Sequence, residues 1–214
     1  MSLKYFERVL ERMSFKFIPI FSVVDNSIFG YRIVKDFSTL GFDDKEYMYQ
    51  MACEKKVFDE FALKMLEKAC KEIKDRQLEN KYFLYTLRFN FIEDPITFFK
   101  KLNLLIKDFQ IKEDNFIFDV KGIKNWESFH NDYSKIFKYK IILKEEKNSS
   151  FNIATLEKSK ADFMEPRTID TLAFMKKNIN LQLPLIFNLS FDNELNIDFL
   201  KSLGVDYYYN LIRK

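Results

Sequence analysis

The chain has 214 residues, 47% of them hydrophobic and 31% charged, with a formal net charge of +3 at pH 7. This is globular composition with apolar mass for one sizeable core, and a small charge spread along the chain lacks the footprint of a nucleic-acid binder. No apolar run approaches the roughly 20 residues a membrane span needs, and the segment from Met1 to Met13 carries Glu7 and Glu11 where a signal peptide would be apolar.

Leu3, Phe6, Val9, Leu10 and Met13 share one face at helical spacing, so residues 1–15 are expected to hold an N-terminal helix. Two extended runs follow, Phe17 to Val24 and Ser27 to Val34, separated by Asp25-Asn26 as a two-residue hairpin turn. Helix and strand then alternate, which favours a largely parallel sheet covered by helices. Helices are predicted at Lys45–Glu54 and Asp59–Arg76, then a strand at Tyr82–Leu87. Asp94 reads as an N-cap with Pro95 at the first helical position, opening a helix to about Phe109. A strand at Phe116–Val120, a helix at Lys124–Phe137 and a strand at Lys140–Leu143 come next. A helix at Ile153–Lys158, a strand at Asp162–Met164, a helix at Thr168–Asn180 and a strand at Leu185–Leu189 follow. The chain closes on a helix at Asn193–Leu203 and a strand at Tyr207–Tyr209.

Eight strands with a hairpin opening favour a closed barrel, although a doubly wound open sheet generates similar alternation. No Pro-, Gly- or Ser-rich stretch offers a linker, so residues 1–214 are read as one domain. Cys53 and Cys70 have no CxxC spacing and read as buried reduced thiols, which points to the cytosol. His130, the only histidine, excludes a histidine-rich metal site and an ordinary Ser-His or Cys-His pair, and it is expected at the surface of its helix. Trp126 and Phe129 are expected to pack on the barrel, Phe98 and Phe99 to be core, and Tyr207 to Tyr209 to alternate in and out of their strand.

Three stretches carry a resemblance. Phe17-Ile18-Pro19-Ile20 followed by Ile28-Phe29-Gly30-Tyr31-Arg32-Ile33-Val34 resembles the opening of bacterial EAL domains, where a Q-P-I strand turns into a strand ending in G-(aromatic)-E-A-L. Asp94-Pro95 with Phe98 is similar to the family's D-P-x-x-F helix. Phe199 to Tyr207, reading F-L-K-S-L-G-V-D-Y, is similar to its last helix and strand. The resemblance implies an α/β fold, a modified TIM-type (β/α)8 barrel with an antiparallel first strand. It also implies a bacterial source and cyclic di-GMP signalling. In that family strand-end carboxylates and an Asn hold two divalent metals, roughly 4 Å apart, that activate water against a phosphodiester.

Carried over residue by residue, the resemblance yields none of those ligands intact. The signature Glu falls on Arg32, the preceding Gln on Ile18, the metal-binding Asn on Thr86, and the next Glu on the shorter Asp119. The Asp-Asp pair falls on Lys144 and Glu145, the catalytic Lys on Glu165, the following Glu on Leu189, and the C-terminal Gln on Tyr209. Arg32 puts a guanidinium that cannot deprotonate where a metal ligand is required. Arg32 and Lys144 either pair with Asp119, Glu145 and Glu165 in an internal salt-bridge network or splay into solvent and contribute little, as surface pairs do. The family's glycine-rich loop reads K-E-E-K-N-S-S over Lys144 to Ser150, which puts its phosphate contacts and the family's homodimer in doubt. The resulting expectation is a catalytically inactive signalling or scaffold domain, with no metal or other cofactor, acting on a protein partner. A cyclic di-GMP receptor that binds without cleaving is the alternative, against which Ile18, Leu189 and Tyr209 argue. An active phosphodiesterase stands last.

Overall fold

The computed structural model describes residues 3–40, 45–146, 152–178, 183–191 and 196–211. Helix α1 (Leu3–Arg12) leads into the hairpin β1 (Ser14–Ser22) and β2 (Ile28–Asp36), followed by α2 (Lys45–Glu54) and α3 (Phe58–Asp75). Strands and helices then alternate: β3 (Tyr82–Arg88), α4 (Pro95–Asp108), β4 (Phe116–Lys121), α5 (Trp126–Tyr133), β5 (Lys140–Lys144) and α6 (Ile153–Ser159). The chain ends on β6 (Phe163–Glu165), α7 (Ile169–Asn178), β7 (Ile186–Asn188), α8 (Ile197–Ser202) and β8 (Tyr207–Tyr209).

The strands lie in the order β6-β5-β4-β3-β2-β1-β8-β7, and a single bridge from Met164 to Leu185 brings β6 to β7. This is the nearly closed (β/α)8 barrel, not the open doubly wound sheet. β1 runs antiparallel to both its neighbours, β2 and β8, and the remaining pairs are parallel. Gly30 of β2 pairs with Tyr82 of β3: a Cβ there would come within 2.3 Å of the Tyr82 carbonyl oxygen, so a side chain would push the strands apart.

Side chains alternate across each strand, and the sequence supplies two apolar faces. Phe83, Tyr85, Phe116, Phe118 and Ile141 point outward and pack with Phe61, Met65, Phe99 and Phe129 in the main core, between the barrel and α1 to α5. Ile20, Leu84, Ile117, Ile142, Phe163, Ile186 and Tyr209 fill the barrel itself. Its N-terminal end is plugged by Phe29, stacked on Tyr82 at 4.5 Å and on Tyr207 at 4.0 Å.

Some element boundaries differ from the sequence reading. The hairpin connection runs over five residues, with Asn26 in the left-handed region at φ 56° and Asp25 accepting hydrogen bonds from the Ser27 amide and hydroxyl. Helix α5 begins at Trp126 because Asn125 caps it, accepting from the Ser128 amide at 3.1 Å. Asp94 caps α4 through the Thr97 amide, as expected. The predicted start of the last helix, at Asn193, lies outside the described residues; Asn196 caps α8 through the Phe199 amide. The end predicted at Asn180 also lies outside them.

Candidate functional site

At the C-terminal mouth each strand contributes one residue from its barrel-facing side. Alternation from the interior residues Leu84, Ile117, Ile142, Phe163, Ile186 and Tyr207 leads to Thr86, Asp119, Lys144, Glu165, Asn188 and Tyr209. Arg32 completes the ring from β2, paired with Ile18 of β1. Thr86 is paired with Asp119, Lys144 with Glu165, and Asn188 with Tyr209.

Glu165 is the hub of this layer, at 1% exposure. Its Oε2 accepts from Arg32 Nη1 at 2.8 Å, and its Oε1 accepts from Tyr209 Oη at 2.7 Å and from Lys144 Nζ at 2.5 Å. Arg32 Nη1 also donates to Tyr209 Oη at 2.7 Å. Burial alone would push the Glu165 carboxyl up, but the Arg32 guanidinium and the Lys144 ammonium outweigh it and hold it below the ordinary 4.5. For Arg32, burial works against the charge, and Glu165 more than offsets it, so the guanidinium is held more firmly protonated. Burial first, and then the Glu165 charge, push the Tyr209 hydroxyl well above its usual range.

Asp119, also buried, is satisfied separately. Thr86 Oγ1 donates to its Oδ2 at 3.2 Å, and Lys121 Nζ lies 3.3 Å from its Oδ1. Lys121 further pairs with Glu146. Burial disfavours the Lys121 ammonium, yet Asp119 and Glu146 raise its pKa overall. Two open cavities flank the layer. One of about 270 Å³ is lined by Asp119, Lys121, Trp126, Lys144 and Glu146, and one of about 200 Å³ by Arg32, Lys35, Thr86 and Arg88.

Of the two alternatives the paired one holds for Glu165, which takes Arg32 and Lys144, while Asp119 takes Lys121 as its close cation. Glu145 is not part of the network: its carboxylate accepts from the Arg167 amide at 2.7 Å and the Thr171 hydroxyl at 2.9 Å, outside the barrel at the start of α7. Leu189 is a second correction. β7 ends at Asn188, and Leu189 packs outside with Val23 and Phe187. Strand alternation from Ile186 inward and Phe187 outward puts Asn188, 1% exposed, in the ring; the same alternation two residues beyond Asp119 would have found Lys121. His130 is half-buried, not a free surface group: its Nε2 lies 2.8 Å from the Ser159 carbonyl, tying α5 to α6. Tyr208 faces outward while Tyr207 and Tyr209 face the barrel, as alternation predicted. Cys53 and Cys70 are free thiols, and burial pushes Cys70 up to about 12, which leaves it inert.

A two-metal centre would need carboxylate oxygens free to coordinate hard cations. Both oxygens of Glu165 and both of Asp119 already face cations or donors of the chain itself. Among the described residues no group of three or more His, Cys, Asp or Glu is placed to hold a metal ion. The donor set present does not fit the metal pair that the resemblance implied. No helix among the described residues is long and apolar enough to cross a membrane.

No protein-family model matches the chain, and no curated protein matches it by sequence. Solved structures do match. An EAL domain protein from Listeria monocytogenes EGD-e superposes with a TM-score of 0.71 at 12% identity, over 98% of this chain and 91% of that one. The PaMucR phosphodiesterase in complex with c-di-GMP gives a TM-score of 0.71 at 10% identity, over 93% and 94%. The Bacillus subtilis YkuI protein, with an EAL domain in complex with c-di-GMP and calcium, gives 0.68 at 15% identity, over 97% of this chain and 55% of that one. The chain spans about 65% of the length of the EAL enzyme Bd1971, with a TM-score of 0.69 at 10% identity. What these likenesses establish is the architecture: the chain has the fold of EAL domains.

Proposed function

We propose that this chain is a metal-free, catalytically inactive EAL-like domain that works in cyclic di-GMP signalling through contact with a protein partner, in the cytoplasm of a bacterium. The observation that carries this reading is the guanidinium of Arg32, fixed at the barrel mouth by Glu165 and Tyr209. A dication brought there meets a permanent positive charge, with Lys144 on the same Glu165 carboxylate and Lys121 on that of Asp119. In-line attack on a phosphodiester relies on metal ions to stabilise the attacking and leaving oxygens, and the carboxylates here are committed to cations of the chain.

Isothermal titration calorimetry with cyclic di-GMP, with and without Mn²⁺, paired with a turnover assay, tests the reading. No heat and no hydrolysis is the expected result. Heat without hydrolysis selects a receptor in place of a scaffold, and hydrolysis that depends on Mn²⁺ overturns the proposal.

A further inference from the structure

The barrel has one weak seam. Each of the other seven adjacent strand pairs shares two or more register pairs. Among the described residues β6 and β7 share only the Met164–Leu185 bridge, with the Met164 amide donating to the Pro184 carbonyl at 3.1 Å. Among the described residues, a small cluster of Leu156, Met164 and Met175 lies outside the seam, with Leu143, Leu183 and Leu185 packed on it. Among the described residues, backbone pairing is thus thinnest at one place on the circumference.

Glu165 follows Met164 directly, at the same height as that bridge. Its carboxylate reaches over β7 to Tyr209 on β8 and across the barrel to Arg32 on β2, and the Arg32–Tyr209 bond closes the triangle. Three strands that do not pair with one another are thereby tied through side chains that lie within hydrogen-bonding distance and are shielded from water. Buried charge-assisted bonds are directional and strong, and their atoms sit where the backbone ladder is missing.

The geometry points to a latch: the Arg32–Glu165–Tyr209 triangle closes the barrel across the β6–β7 seam, and loosening it lets the seam open while the rest of the barrel stays paired. Local opening of this kind follows the least-bonded unit of a fold. A cluster that merely filled the mouth would, when trimmed, loosen all the surrounding strands alike. The latch stands on this geometry alone and does not depend on whether the mouth binds a nucleotide or a metal.

Amide hydrogen exchange on the full chain, without nucleotide or metal, separates the two. Tyr209→Phe removes one hydroxyl and keeps the Arg32–Glu165 pair, so it is the variant expected to stay folded; Glu165→Gln is the stronger perturbation. In Tyr209→Phe the Met164 amide and those of β7 are expected to exchange at least about tenfold faster, since the hydroxyl's two buried bonds, to Glu165 and from Arg32, are both lost. Amides of β3 and β4 are expected to stay within about twofold of the parent, since the cost is confined to the seam. Glu165→Gln, if folded, extends the same pattern. Equal acceleration on both sides of the barrel, or no change at Met164, overturns the latch even if calorimetry upholds the inactive reading.

Discussion

The arc from β1 to β4 and the arc from β6 to β8 are held together in different ways. In the first, strands of six to nine residues pair in long registers and lie under the main core, where Phe99 alone packs against Phe98, Phe129, Tyr133 and Phe137. In the second, three strands of three residues each are backed, among the described residues, by two small clusters. The first arc is a layered hydrophobic structure. The second is completed by a handful of polar bonds, so its integrity follows chemistry that a single functional group can change.

Breaking the hub should have the largest effect. Glu165→Gln leaves the Arg32 and Lys144 cations beside a neutral amide and is expected to cost about 3–5 kcal/mol, read as a shift in the denaturant midpoint. A loss below about 1 kcal/mol, the level of a surface pair, would mean that solvent already screens the cluster and that the two arcs do not differ as described.

Acid should come next. Because the Glu165 carboxyl is depressed in the folded chain, its stabilisation is complete above the ordinary 4.5 and is lost as the pH falls through the lower folded value. Arg32 from β2, Lys144 from β5 and Tyr209 from β8 face it, and the Asp119 charge lies close enough to act on Arg32. As the pH falls below 4.5 the melting temperature is expected to drop more steeply in the parent than in Glu165→Gln. Parallel profiles would remove Glu165 as the cause.

The smallest effect belongs to the first arc. Lys16 and Asp36 pair at 2.9 Å across the β1–β2 hairpin, but the lysine side chain is 60% exposed. Lys16→Ala is expected to change stability by about 0–1 kcal/mol. A larger loss would show that charge pairs also carry weight where the backbone is well paired, and the contrast between the arcs would blur.

Much of the fold was legible in local pattern, because hydrophobic period and capping act over a few residues. Asp94-Pro95 marked the start of α4, and Phe98 and Phe99 at helical spacing marked its buried side. The site was legible only in part. Arg32 and Glu165 are 133 residues apart in sequence, and no local signal pairs them; the resemblance to EAL domains placed both at the mouth. The resemblance names Leu189 at the end of the seventh strand, whereas the structure brings Asn188 to the mouth. Glu145 lies one residue past Lys144, and a one-residue step along a strand turns a side chain from the mouth to the outside, here to Arg167 and Thr171.

By itself, then, the sequence determined the order of elements, the alternation that faces each strand inward and outward, and the presence of Arg and Lys among the strand-end residues. Only the tertiary structure decided which charge meets which, that Asp119 takes Lys121 while Glu165 takes Arg32 and Lys144, and that the β6–β7 seam has, among the described residues, a single bridge. The physical reason is range. Helix and strand preferences are set by neighbours along the chain, whereas ion pairing and barrel closure depend on distances that exist only once all eight strands have come together.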